Sequence, residues 1–129
     1  MTTSVLPFAQ LFNRLIDARE ALWVDKIRAW AGTVPGAHPI AYAEAGRRGD
    51  FAGVVESIRI DPVGGTIQAV VTDGTGRMRV EWSIARPTSA HRALPGHALF
   101  LTGLAVATPE GDLMLRDAFC REIRGPEEA

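Results

Sequence analysis

Residues 66–82 have the sequence TIQAVVTDGTGRMRVEW, which carries the strongest structural signal in this chain. Two segments that alternate in polarity flank the tetrapeptide Asp73-Gly74-Thr75-Gly76. An Asp-Gly pair between such segments is the strongest local signal for a hairpin, because Gly supplies a positive φ and Asp bonds its own backbone. The stretch therefore predicts strands over 66–72 and 77–82, and Asp73 is interpreted as a turn residue rather than a catalytic acid.

Three further segments outside this hairpin show the two-residue period of strands. They cover residues 51–60, 97–108 and 113–123, and Gly53 is expected to be a bulge or bend in the first of them. A long irregular connection at 83–96 separates the third strand from the fourth. Five short strands with a long connection in that gap predict an OB-fold, which is a five-stranded Greek-key barrel. An SH3-like barrel is the alternative, but it does not usually carry a long connection there.

The N-terminal part of the chain is predicted to be helical. Ser4 and Pro7 are typical of a helix start, and Gly32 is typical of a helix end. Apolar side chains recur between them at helical spacing. These are Phe8, Leu11, Phe12, Leu15, Ile16, Leu22, Trp23, Ile27 and Trp30. A second, short helix is predicted over 39–45, because Pro39 is favourable at a first helical position.

The predicted organisation has three parts. A helical extension covers residues 1–46, the OB-fold barrel covers 47–124, and a flexible polar tail covers 125–129. The fold class is therefore all-β with an N-terminal α extension: a five-stranded Greek-key barrel preceded by one long and one short helix.

Composition excludes several classes of function. The chain has 129 residues and a formal net charge of −1, so it does not coat nucleic acid by bulk charge, although a local basic face stays open. Its single cysteine, Cys120, excludes a disulfide framework, and its three histidines fit no metal motif. No nucleophile motif, phosphate loop or dinucleotide fingerprint occurs, so we expect neither an enzyme nor a cofactor. No apolar run reaches the roughly 18 residues of a membrane span, and the start lacks a secretory signal, so we expect a cytoplasmic location.

Four stretches carry a resemblance to a known family. They are Pro39-Ile40-Ala41 with Arg47-Arg48 and Gly53-Val54-Val55, Ala69-Val70-Val71 with Asp73-Gly74-Thr75-Gly76, Trp82, and Leu94-Pro95-Gly96 with Gly103. Over about residues 39–123 the chain resembles small single-domain OB-fold nucleic-acid-binding proteins of actinobacterial type. Their OB module is similar to tRNA anticodon-binding domains and to the wedge domains of branched-DNA helicases. The resemblance implies a non-enzymatic module that binds nucleic acid.

The third strand carries the candidate binding residues. Its apolar set is Met78, Val80 and Trp82, which alternates with Arg77, Arg79 and Glu81. With the apolar set inward, Arg77 and Arg79 point outward on the face with which OB-folds bind oligonucleotides. There they are expected to hold phosphates or stack on the bases of single-stranded DNA or RNA, and Arg47, Arg48 and Arg86 are expected to flank them. The alternative is a solvated strand face on which the arginines pair with Glu81.

Aromatic side chains that can stack on bases are scarce in the predicted barrel. Trp82 belongs to the inward set and is assigned to the core, and Phe100 and Phe119 are assigned to the core or to packing between elements. Phe51 has two possible assignments, the core or the binding face. Because single-strand binders combine charge with aromatic platforms, we expect weak binding, or binding that needs a partner.

The apolar stripe of the N-terminal helix supports an alternative function. Phe8, Phe12, Trp23, Ile27 and Trp30 are candidates for a surface that binds a second copy or a protein partner. The chain is then a protein-interaction or scaffolding module. Packing of the stripe against the barrel of the same chain is the other interpretation.

Overall fold

A computed structural model describes residues 8–86 and 90–128 of the chain, with the backbone alone for 8–17. The predicted helix start at Ser4 and Pro7 lies outside these residues, as do the side chains of Phe8 and Phe12. The elements are helix α1 (Phe8–Ala31), a 3-10 turn (Ile40–Tyr42), strands β1 (Arg48–Asp61), β2 (Thr66–Thr72) and β3 (Arg77–Ser83), a second 3-10 turn (Ala90–Arg92), and strands β4 (Ala98–Ala107) and β5 (Leu113–Glu122).

The strands close into a barrel in the order β1-β2-β3-β5-β4. The first half of β1 pairs with β4 and its second half pairs with β2. The β3–β5 pair is parallel, and the other four pairs are antiparallel. This arrangement confirms the predicted five-stranded OB-fold with one long N-terminal helix.

The core follows the alternation of the third strand. Met78, Val80 and Trp82 are all buried, with exposed fractions of 1% or less. The indole nitrogen Nε1 of Trp82 donates a hydrogen bond to the Ala118 carbonyl at 2.9 Å, so the polar atom of this buried side chain is satisfied. The predicted inward set is therefore confirmed.

Of the bulge or bend predicted at Gly53, the bulge is wrong in its position. Gly53 pairs regularly with Leu99 on β4, and the register of β1 shifts instead between Val55 and Ser57. A Cβ atom on Gly53 would lie 2.3 Å from Cγ1 of Val71. Glycine is thus required at position 53 by a close approach inside the barrel and not by a bulge.

The short helix predicted over 39–45 is also wrong. Only the single 3-10 turn at Ile40–Tyr42 forms, and Ala43 is already extended, with φ −62° and ψ 140°. A tertiary contact holds this turn, because the Ile40 amide donates to Oδ2 of Asp73 at 2.8 Å. The Ile40 side chain is 5% exposed and packs in the barrel core. Side-chain capture by the hairpin thus replaces the local helical preference.

Helix α1 docks on the barrel through its last turns. Ile27 and Trp30 are buried in a cluster with Ala52 and Ala98. The indole nitrogen of Trp30 donates to the Arg124 carbonyl at 2.8 Å. These contacts confirm the interpretation in which part of the stripe packs on its own barrel, so Ile27 and Trp30 are unavailable to a partner.

The C-terminal residues 125–128 form a turn beside α1. Pro126 is buried, and the Glu128 amide donates to the Gly125 carbonyl at 3.1 Å. Glu127 forms an ion pair with Lys26 of α1 at 3.2 Å. The segment predicted as a tail therefore has contacts with the helix.

Candidate nucleic-acid interface

The outer surface of β2 and β3, here called the β2–β3 face, is built by three cross-strand pairs. These are Gln68 with Glu81, Val70 with Arg79, and Thr72 with Arg77. Their neighbours in sequence, Ala69, Val71, Met78 and Val80, are buried in the barrel. Because side chains alternate along a strand, Arg77 and Arg79 point outward, as the sequence predicts.

Both arginines of the β2–β3 face are in ion pairs. The Nε atom of Arg77 lies 3.0 Å from a carboxylate oxygen of Glu56, which belongs to β1. Arg79 lies 3.4 Å from the carboxylate of Asp112, at the start of β5. Glu81, expected from sequence as the acidic partner, instead accepts a hydrogen bond from Gln68 at 2.9 Å. Acids from other elements thus neutralise the two arginines. The predicted alternative of a solvated face was right about ion pairing but wrong about Glu81 as the partner.

The ion pairs of the β2–β3 face are accessible to solvent. The Arg77 side chain is 72% exposed and that of Arg79 is 36% exposed. Exposed pairs of this kind contribute about 0–1 kcal/mol, because water screens them. A phosphate can therefore replace either carboxylate at little energetic cost.

The loop between β4 and β5 borders this face. It brings Asp112 and Leu113 beside Val70, Arg77 and Arg79, which together line a groove of about 230 Å³. In the same loop, hydrogen bonds from its own backbone and from the Thr108 hydroxyl hold the pKa of Glu110 below its usual value, and Arg79 adds to this effect. Glu110 is thus ionised at neutral pH, and the groove is bordered by charges of both signs.

Arg59 and Arg116 extend the β2–β3 face on either side. Arg59 pairs with Gln68 across the β1–β2 ladder, and Arg116 pairs with Glu81 across the β3–β5 ladder. Both are exposed, and neither forms an ion pair within 8–86 and 90–128. The alternation within each strand is visible in the sequence, but the position of both arginines beside the Gln68–Glu81 pair depends on strand register, which the sequence does not show.

The other predicted residues are not together with Arg77 and Arg79. Arg47 and Arg48 line a separate groove with Tyr42, and Arg48 pairs with Leu104 in the part of β1 that joins β4. The carboxylate of Glu44 lies 3.2 Å from Arg47. Arg86 follows the opposite end of β3, where it bridges to Ser83. The structure therefore places these three arginines at two other sites around the barrel.

The aromatic side chains divide between core and surface. Trp82 and Phe51 are buried, and Phe51 is thereby assigned to the core. Phe119 is 62% exposed, so its assignment to the core or to packing is wrong. It faces outward because Ala118 and Cys120, on either side of it, fill the interior. Phe100 is half-buried and lies beneath the guanidinium of Arg121, which is 4.8 Å from the ring centre.

No metal site and no membrane span occur in the part of the chain that the structure describes. No group of three or more His, Cys, Asp or Glu residues there is arranged to hold an ion. In the same residues, no helix combines the length and the apolar character needed to cross a bilayer.

Several solved structures share this fold. A chain of asparaginyl-tRNA synthetase from Pyrococcus horikoshii, complexed with asparaginyl-adenylate, aligns with a TM-score of 0.59 and 15% identity, over 74% of this chain and 26% of that one. The p204 HINb domain aligns with a TM-score of 0.54 and 21% identity, over 67% and 47%. A chain of a Replication Protein A heterotrimer bound to ssDNA aligns with a TM-score of 0.50 and 17% identity, over 80% of each chain.

These similarities show the fold. The chain spans less than half of the p204 HINb chain and about a quarter of the synthetase. No protein-family model matches the sequence, and no curated protein matches it significantly.

Proposed function

We propose that this chain is a non-enzymatic module that binds single-stranded DNA or RNA, with little sequence preference, through the β2–β3 face. The observation that carries the proposal is the outward pair Arg77 and Arg79, adjacent on one strand and beside the β4–β5 loop. This is the region with which OB-folds bind oligonucleotides. The likeness to a Replication Protein A chain bound to ssDNA supports the ligand class. An actinobacterial origin and a cytoplasmic location belong to the same proposal.

Binding proceeds by exchange of ion-pair partners. A phosphate oxygen replaces Glu56 at Arg77 or Asp112 at Arg79, and the guanidinium keeps a charge-assisted hydrogen bond throughout. The gain is small, because each arginine loses one anionic partner when it takes another. The six side chains of the paired positions on this face include no aromatic ring. We therefore expect weak binding through the phosphate backbone of the nucleic acid. Arg47, Arg48 and Arg86 contribute where the nucleic acid extends beyond the face.

Reversing the charge of both arginines tests this assignment. We expect Arg77→Glu with Arg79→Glu to abolish binding of a labelled single strand of about 12 nucleotides, which is within the range of one OB-fold. The melting temperature changes little, because exposed strand positions contribute little to stability. Fluorescence anisotropy at low salt measures the affinity, and circular dichroism measures the melting.

A matched pair of variants separates the position of the charges from their number. Arg19→Glu with Arg124→Glu makes the same change in net charge at exposed sites on α1 and after β5. Its affinity stays within about threefold of the parent, since only the general field changes. Glu56→Gln with Asp112→Asn frees the two arginines and strengthens binding. Unchanged binding by the Arg77/Arg79 variant would remove the β2–β3 face from the proposal.

Self-association through α1 is a second candidate function. Every residue from 18 to 26 is exposed, including Leu22 at 69% and Trp23 at 38%. Leu22 precedes the turns that Ile27 and Trp30 hold on the barrel, whereas Lys26, nearer those turns, pairs with Glu127. Long helices with an uncovered apolar face pack against another helix, and a second copy offers an identical one.

Light scattering tests this candidate. If α1 pairs with α1 of a second copy, Leu22→Glu with Trp23→Glu halves the mass of a dimer and leaves the melting of the barrel unchanged, since both positions are exposed. Ala18→Glu with Ala21→Glu is the control, because it adds the same charge to the exposed part of the helix without removing large apolar side chains. A monomeric parent protein would exclude self-association.

A further inference from the structure

The outer surface of β1, β4 and β5 forms a second face, here called the Phe119 face. Hydrogen-bonded register aligns its side chains in three rows across these strands. The rows are Arg48, Leu104 and Arg116; Asp50, Thr102 and Phe119; and Ala52, Phe100 and Arg121. Of the described side chains of helix α1, Ile27 and Trp30 cover the Ala52 end of the third row. The remainder is a surface on which an exposed ring lies among arginines.

A bulge in β5 turns both Arg116 and Phe119 outward. Asp117 and Ala118 together oppose Gly103 of β4, and Asp117 has a positive φ of 53°. Ala118 is fully buried, so Asp117 is the extra residue that shifts the inward and outward alternation by one position. Without the bulge, two residues three positions apart would point to opposite sides of the sheet. Bulges of this kind re-aim side chains and are frequent beside functional sites.

We infer that the Phe119 face stacks the bases of a single-stranded nucleic acid on Phe119 while Arg48 and Arg116 hold the adjoining phosphates. Every base offers a π-face, so an exposed ring next to cations is the combination that single-strand binders use. Phe119 is 62% exposed, whereas the β2–β3 pairs carry no ring. The inference rests on the proposed function for its ligand class and adds a second surface to it.

The charges of the Phe119 face favour a nucleic acid over a protein. Arg48 and Arg116 are exposed and form no ion pair within the described residues, unlike Arg77 and Arg79. The acidic residues of the face are Asp50 and Asp117, and the carboxylate of Asp50 accepts a hydrogen bond from the Thr102 hydroxyl at 2.8 Å. Aromatic residues and Arg are also enriched in protein interfaces, so the choice rests on the charge balance. Three exposed arginines, Arg48, Arg116 and Arg121, match the repeated phosphates of a nucleic acid.

Arg121 and Tyr42 extend the Phe119 face at its two ends. Arg121 lies on the Phe100 ring, which orients its guanidinium while leaving N–H groups for a phosphate. Tyr42 is 79% exposed in the groove that Arg48 lines. A single-stranded nucleic acid that lies along this face therefore contacts aromatic rings and guanidinium groups alternately.

Two substitutions of Phe119 distinguish base stacking from simple apolar contact. We expect Phe119→Leu to weaken binding of a labelled oligo(dT) or oligo(U) of about 12 nucleotides by roughly 5- to 100-fold, which is the range for loss of one stacked base. Phe119→Trp keeps the affinity or raises it, since the larger ring stacks as well. Val63→Ala is the control, because Val63 is an apolar side chain 98% exposed in the β1–β2 loop. All three variants melt like the parent.

The outcomes separate this inference from the proposed function. If the parent protein binds and Phe119→Leu weakens it while Phe119→Trp does not, the inference is supported. If Phe119→Leu binds like the parent while the Arg77/Arg79 double variant loses binding, the inference is overturned and the proposed function stands. Absence of any single-strand binding by the parent at low salt overturns both. If Phe119→Leu changes the mass measured by light scattering but leaves the affinity for the oligonucleotide unchanged, the face is an interface between copies, and the inference is again overturned.

Discussion

Replacing Val80 with Asp unfolds the barrel at neutral pH. Val80 is fully buried at the centre of β3, between strands β2 and β5. A carboxyl group fully buried in apolar surroundings has its pKa raised by up to about 3–5 units, so it must be protonated in the folded state, which costs about 4 kcal/mol at pH 7. The buried carboxyl also loses its hydrogen bonds to water, which costs about 1–3 kcal/mol more. That loss is comparable with the total stability of about 5–15 kcal/mol of a typical domain.

The control for this variant is Val63→Asp. Val63 is 98% exposed, so the same substitution there changes the melting temperature by no more than a few degrees. Thermal melting followed by circular dichroism measures both variants. A Val80→Asp protein that melts cooperatively near the parent temperature would show that the assigned orientation of β3 is wrong.

Replacing Asp73 with Ala lowers the melting temperature by about 10 °C or more. Asp73 is 2% exposed, and its Oδ1 accepts hydrogen bonds from the Thr75 and Gly76 amides at 2.8 and 3.2 Å. Its Oδ2 accepts from the Ile40 amide at 2.8 Å. The buried Ile40 amide left without a partner costs about 1–3 kcal/mol, and the two half-buried turn bonds are lost as well. The substitution therefore loosens both the hairpin and the 3-10 turn at Ile40–Tyr42.

Asp61 provides a matched comparison for Asp73. Its Oδ1 also accepts hydrogen bonds from two turn amides, those of Val63 and Gly64, but this turn is exposed. Asp61→Ala therefore lowers the melting temperature by only a few degrees, because water replaces the lost acceptor. Equal effects of the two substitutions would contradict a role for Asp73 in holding Ile40.

The hairpin and the alternation of β3 were predictable because their signals are local. Asp73-Gly74 specifies a tight turn, and the two-residue period of Met78, Val80 and Trp82 has one solution when one face is buried. The turn at Ile40–Tyr42 was not predictable, since its geometry depends on an amide captured by a side chain 33 positions along the chain. Local preference favoured a helix there, and tertiary contact overrode it.

The candidate site was predictable in part. The outward direction of Arg77 and Arg79 follows from alternation. Their partners, Glu56 on β1 and Asp112 in the β4–β5 loop, depend on strand register and loop placement. The outward direction of Phe119 was not predictable, because its strand contains a bulge opposite Gly103. That extra residue changes which positions point outward, and no period in the sequence reveals it.

Recognition of nucleic acid by this barrel is tested by the salt dependence of its binding to a single strand. The affinity of the unmodified protein for a labelled oligo(dT) or oligo(U) of about 12 nucleotides is measured by anisotropy between about 50 and 200 mM salt. Each phosphate contact contributes about −0.7 to the slope of log K against log salt on a single strand, so two to four arginine contacts give a slope of roughly −1.4 to −2.8. Arg77→Gln with Arg79→Gln, which removes the two charges without reversing them, makes the slope shallower by about 1.4, and Arg19→Gln with Arg124→Gln leaves it unchanged. A slope near zero, or no binding at the lowest salt, would contradict recognition of nucleic acid by this barrel.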